Sequence, residues 1–189
     1  AHPEMADDRT PGFLHLRLAR TSDGERMDFA LPDLPGEWTK TLMSASRYDR
    51  LSFLKSADVI WIVVDGRTLA EREQRNSAIV KVGVLASRIQ SLFAGQQVPK
   101  ALLVVTHRDS SEIGPDVINR VKAEAARYSV DLDVVPVAPF SDNNQVKPGA
   151  GIAQLIDATA ASTRPAPAFW ARRLGRKYDR AYLAYGSDS

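Results

Sequence analysis

An α/β fold, with a mostly parallel sheet, helices on both faces and an antiparallel hairpin at one edge, is predicted by three observations. From residue 59 to residue 160, apolar runs of strand length alternate with segments of helical period. Those runs are continuously apolar, as strands covered on both faces require. The first forty residues alternate instead at period two around an Asp-Gly pair, which marks a hairpin.

The elements follow in order. "GFLHLRLAR" sets Leu14, Leu16 and Leu18 on one side and Phe13, His15 and Arg17 on the other. Asp23-Gly24 supplies the turn, and "RMDFAL" alternates again through Met27, Phe29 and Leu31. Val59 to Val64 forms a buried strand, with Asp65-Gly66 reading as the turn out of it. The spacing of Ile79, Val82, Leu85, Ile89 and Phe93 predicts a helix over 69–93, with Gly95 as its stop. "KALLVVTHRD" is a second buried strand. Pro115 opens a helix whose inner face carries Ile118, Val121, Ala125 and Tyr128. "LDVVPVAPF" is a third buried strand, which Pro136 places toward an edge. "GAGIAQLIDATA" closes with a helix packed through Ile152, Leu155 and Ile156.

The chain has 189 residues, enough for one well-buried domain over 1–163 and an appendage over 164–189. A net charge of +2 gives no whole-protein field for nucleic acid, so DNA is not an expected partner. No apolar run reaches the length of a membrane span, and a membrane partner is not expected either. The absence of cysteine excludes disulfides and thiolate chemistry and fits a reducing, cytoplasmic setting. The three histidines have no metal-like spacing.

Three polar clusters fall at strand ends, where open α/β sheets collect ligands. Asp33-Leu34-Pro35-Gly36-Glu37 follows the hairpin, Thr106-His107-Arg108-Asp109 follows the second buried strand, and Ala138-Pro139-Phe140-Ser141 follows the third. Each alone reads equally as a turn or loop, since Asp, Pro and Gly are turn residues. Their order carries the signal.

That ordered set resembles a TRAFAC-class, Ras-like GTPase domain of bacterial type over about residues 8 to 160. "DLPGE" is similar to the D-x-x-G of the third G motif, "THRD" to the fourth motif [NT]-K-x-D, and "VVPVAPFS" to the fifth. Thr10 in "DRTPG" stands at the interval of the family's switch I threonine. The resemblance implies a switch that binds GTP and GDP with Mg²⁺ and hydrolyses GTP slowly.

It also implies roles for individual residues. Asp33 and Thr10 would hold Mg²⁺, a hard cation that favours oxygen ligands. Gly36 would bring its N–H to a γ-phosphate, and Glu37 stands where a water-orienting residue acts in catalysis. Thr106, Arg108 and Asp109 would form the guanine rim, with Asp109 accepting from the base's N1–H and 2-amino group. Ala138 would offer backbone to the guanine oxygen. Protein effectors or regulators would meet the loops around Thr10 and Gly36 to Arg50, and the C-terminal appendage.

The sequence departs from the pattern in three places. No G-x-x-x-x-G-K-[ST] occurs, so the loop that cradles phosphates is not in the sequence. In the family this loop follows a strand seated between the hairpin and the strand resembling "VIWIVV". Three readings stay open: an upstream segment supplies it, another chain fills the slot, or the flanking strands have closed up. We expect the first, with a strand and loop within about fifty residues upstream. His107 replaces the fourth motif's lysine, and the fifth motif lacks its lysine. The competing class is a degenerate GTPase-like scaffold that binds protein without hydrolysis. A flavodoxin-like domain ranks third, because the opening hairpin is antiparallel.

The appendage "FWARRLGRKYDRAYLAY" carries Trp170, Leu174, Tyr178 and Tyr182 at every fourth residue beside Arg172, Arg173, Arg176, Lys177 and Arg180. A helix there would pair an aromatic stripe with a basic face.

Overall fold

The computed structural model describes residues 12–33, 49–141 and 144–161. Its elements run β1 (Gly12–Ala19), β2 (Arg26–Asp33), a 3-10 segment (Asp49–Ser56), β3 (Val59–Asp65), α1 (Gly66–Ala70), α2 (Arg72–Leu92), β4 (Lys100–Thr106), α3 (Pro115–Ala126), β5 (Leu132–Pro136) and α4 (Ile152–Ala160). The appendage lies outside the described residues.

Strands β3, β4 and β5 pair in parallel in that order. Side chains of β4 alternate between two cores. Ala101, Leu103 and Val105 pack with Leu69 of α1, with Ile79, Val82, Ala86 and Ile89 of α2, and with Val121 and Ala125 of α3. Leu102 and Val104 face Leu155 of α4 on the other side. This double coverage is why "ALLVV" reads as an unbroken apolar run. The predicted α/β architecture, with helices on both faces of a parallel sheet, is therefore the observed one. On the α4 face, the Trp61 indole N–H donates to Thr159 Oγ1 at 3.0 Å, and that hydroxyl donates to the Leu155 carbonyl at 2.7 Å. The pair ties β3 to α4.

The hairpin forms its own two-stranded antiparallel sheet. Its register sets Leu14 opposite Leu31, Leu16 opposite Phe29 and Leu18 opposite Met27, so the alternation read from sequence yields one shared apolar face. On the polar face, Asp28 sits 2.8 Å from His15 Nε2 and accepts from Arg17 Nε at 3.0 Å. At one end, Phe13 meets Phe53 of the 3-10 segment edge-on, with centroids 6.1 Å apart. At the other, Leu18, Met27 and Phe29 look across a groove of about 860 Å³ toward Ala153, Ile156 and Ala160 of α4. No ladder joins β2 to β3, so the two have not closed on each other. Among the described residues the outer edge of β3 carries no paired strand, and Val63 beside it is 60% exposed.

One helix is two. The chain breaks at Glu71, whose ψ of 122° is extended, so the expected helix over 69–93 becomes α1 and α2. Arg75 explains how the break is tolerated. Its guanidinium donates to the carbonyls of Leu69 (2.7 Å) and Ala70 (2.6 Å), which the interrupted helix leaves without their usual partners.

Candidate functional site

Parallel register brings the strand ends to one rim, with Asp65 opposite Thr106 and Val105 opposite Pro136. The loops leaving those ends form the candidate site. After β4, the chain turns sharply at His107, whose φ of 57° lies in the left-handed region, uncommon for a side-chain-bearing residue. The turn is held by its own carbonyl, which accepts from the N–H groups of Ser110 (3.1 Å) and Ser111 (3.0 Å). Next to it the Arg108 N–H donates to the Val137 carbonyl at 3.2 Å, anchoring the loop to the end of β5.

A cleft of about 540 Å³ opens beside this loop. Arg108, Asp109 and Ile113 line one wall, and Pro136, Gln145 and Val146 the other. Asp109 is half-buried and its Oδ1 is shielded from solvent. A carboxylate at the wall of a cleft is a hydrogen-bond acceptor that a ligand carrying donors can meet.

The loop after β5 is pinned differently. Ala138 is fully buried, its N–H donates to the Ala150 carbonyl at 2.8 Å, and its carbonyl accepts from Gly149 at 2.8 Å. The Ala138 N–H is therefore already engaged, and the residue serves as the loop's anchor. Gly151 begins α4 at φ 82°, pressed so close to the Pro136 carbonyl that a Cβ would clash.

The end of β3 adds a residue that sequence reading treats as a plain turn. Asp65 Oδ1 accepts from the Arg67 N–H at 2.9 Å, capping α1, and its carboxylate is gripped by the Arg67 guanidinium with Nη2 to Oδ2 at 2.8 Å. His107 Nδ1 lies 3.0 Å from Asp65 Oδ1 and 2.9 Å from Thr106 Oγ1. The Arg67 guanidinium, followed by the Arg67 N–H and His107, holds the Asp65 carboxyl below its ordinary 3.8. Lowering of this kind stabilises the fold above the ordinary carboxyl pKa and is lost as pH falls through the lowered folded value. The stability difference between the native chain and Asp65→Asn should therefore shrink below about pH 4. Urea titrations at pH 7 and pH 3 measure it; a difference constant across that range contradicts the pairing.

Of the residues chosen from sequence, Thr106, Arg108, Asp109 and Ala138 gather at this rim. Asp33 ends β2, and its side chain lies outside what is described; Thr10, Gly36 and Glu37 lie outside the described residues altogether. Among the described residues no group of three or more His, Asp or Glu is arranged to hold a metal ion. No helix among them is long and apolar enough to cross a membrane.

A search of curated proteins finds no match. The model of the family Double-GTPase 2 matches residues 1–160, a span that takes in the hairpin, the parallel sheet and all the rim residues named above. With its parallel strands ending on a common rim and a cleft beyond β4, this chain is a GTPase-like domain and belongs to the Double-GTPase 2 family.

Proposed function

We propose that this domain is a nucleotide-dependent switch that binds GTP and GDP with Mg²⁺ at the rim beyond β4 and β5, and hydrolyses GTP slowly. The observation that carries the reading is Asp109, half-buried at a cleft on the carboxyl rim of a parallel sheet. Its carboxylate would accept from the N1–H and 2-amino group of guanine; adenine lacks that donor pair and would leave it poorly satisfied. Thr106 and Arg108 flank it, and Ala138 fixes the facing loop. Mg²⁺, when bound, supplies positive charge between phosphate oxygens. As oxygen donors, Asp33 and Thr10 suit such a cation, and Gly36 and Glu37 would face the terminal phosphate and its attacking water.

The reading requires a phosphate-cradling loop. A parallel strand seated along the outer edge of β3 would carry one to the same rim as Asp65 and Thr106, because all carboxyl ends of such a sheet emerge together. Protein partners would read the state of the loops around Thr10 and Gly36, with the appendage as a second contact. Titration of fluorescent GTP, GDP and ATP with and without Mg²⁺ tests the proposal, on this chain and on the full-length protein encoded by its gene. Guanine-selective, Mg²⁺-sensitive binding supports it. No nucleotide bound by the full-length protein overturns it in favour of a non-hydrolysing scaffold.

A further inference from the structure

We infer that Asp65 is a positioning residue for this nucleotide site, acting through His107; the inference rests on the functional reading above. Asp65 and His107 are 42 residues apart and come from adjacent strand ends. Two contacts define the imidazole's orientation, Nδ1 to Asp65 Oδ1 at 3.0 Å and Nδ1 to Thr106 Oγ1 at 2.9 Å. The Thr106 hydroxyl, which also lies 3.4 Å from the Val64 carbonyl, can accept from or donate to Nδ1 and follows whichever tautomer the carboxylate sets. An ionised carboxylate can only accept, so with Asp65 Oδ1 at 3.0 Å the proton belongs on Nδ1. Nε2 and the ring faces are left as the surfaces that a ligand can meet, and the side chain is 40% exposed.

The main chain reinforces the same geometry. His107 is held in the left-handed region by two N–H donors to its carbonyl. Gly66, directly after Asp65, packs so tightly on the Thr106 carbonyl that a Cβ has no room. Asp65 is in turn immobilised by Arg67 through its side chain and its N–H. The result is a rigid knot that presents one imidazole, in one tautomer, two residues before Asp109 in the same loop. A purine nucleotide whose base hydrogen-bonds Asp109 would meet this ring by its sugar or base face, and a pre-set ring loses less freedom on binding.

Asp65→Asn tests this, because asparagine caps helices as well as aspartate does and keeps an oxygen for the Arg67 N–H. Binding of a fluorescent GDP analogue should weaken about three- to tenfold, the loss that corresponds to one hydrogen bond's net worth. Asp133→Asn, which removes a more exposed carboxylate paired with Lys100 at the opposite end of the sheet, should leave binding unchanged. Imidazole ¹⁵N spectra should show the Nδ1–H tautomer of His107 in the native protein and a mixture in Asp65→Asn. If Asp65→Asn proves unstable, His107→Asn keeps the left-handed backbone accessible and should show the same loss. Unchanged GDP affinity in Asp65→Asn, or an Nε2–H tautomer in the native protein, overturns the inference while leaving the nucleotide reading intact. Failure of the native full-length protein to bind GDP overturns both, and the native arm alone reveals it.

Discussion

Replacing Asp109 with alanine is expected to lower affinity for GDP and GTP by roughly 10- to 100-fold, which corresponds to about 1–3 kcal/mol for donors left without their partner. The loss should be selective. ATP offers Asp109 no matching donor pair, so its binding should change little. The physical basis is the half-buried setting of Asp109, with Oδ1 shielded from water and the cleft of Ile113 and Pro136 beside it. In that setting a carboxylate's hydrogen bonds are stronger than in bulk water, and its removal leaves the base's N1–H and 2-amino group facing an emptied pocket. Titration of the three nucleotides against both proteins checks it. An equal loss for ATP, or none for GDP, would dissociate Asp109 from guanine selection.

The second large effect concerns the fold beneath the site. Gly151→Ala should destabilise the domain through two separate terms. A left-handed φ of 82° costs an alanine about 1–2 kcal/mol, and forcing a methyl against the Pro136 carbonyl costs about 1–3 kcal/mol more. Gly149→Ala is the internal comparison: its φ of 83° carries the same backbone strain, but a Cβ there meets open space. The urea midpoint should therefore fall further for Gly151→Ala than for Gly149→Ala. Because Gly151 abuts the end of β5 and Ala150 pairs with Ala138, the same variant should also loosen the loop facing the cleft. Equal midpoints for the two variants would remove the close approach from the account.

Much of this architecture was legible in the chain. The parallel strands announced themselves through runs such as Leu102 to Val105, because burial on two faces leaves no polar position. The hairpin showed in its alternation, and α3 and α4 in their apolar faces and leading Pro115 and Gly151. The break at Glu71 was not legible, since "TLAEREQRN" holds neither glycine nor proline. It depends on Arg75 reaching back to two carbonyls, a contact across the break that periodicity does not encode.

At the site, the ordered clusters after β4 and β5 pointed to the rim, and their residues do meet there. Asp65 was passed over because its partners are set by register. Pairing with His107 exists only once β3 and β4 align Asp65 with Thr106. A polar residue ending each of two neighbouring buried strands was the available signal. The Ala138 N–H was likewise not predictable as engaged, because its acceptor, Ala150, is brought back by the loop before α4.

The outer edge of β3 has a consequence for solvent exchange. In a parallel ladder, every second amide of β3 points away from β4. Deuterium uptake along Val59–Asp65 should therefore alternate between fast and slow positions, while β4, flanked on both sides, takes up label slowly throughout. A strand that docks along that edge would erase the alternation, so the labelling pattern of seven consecutive amides reports whether the sheet has gained its neighbour.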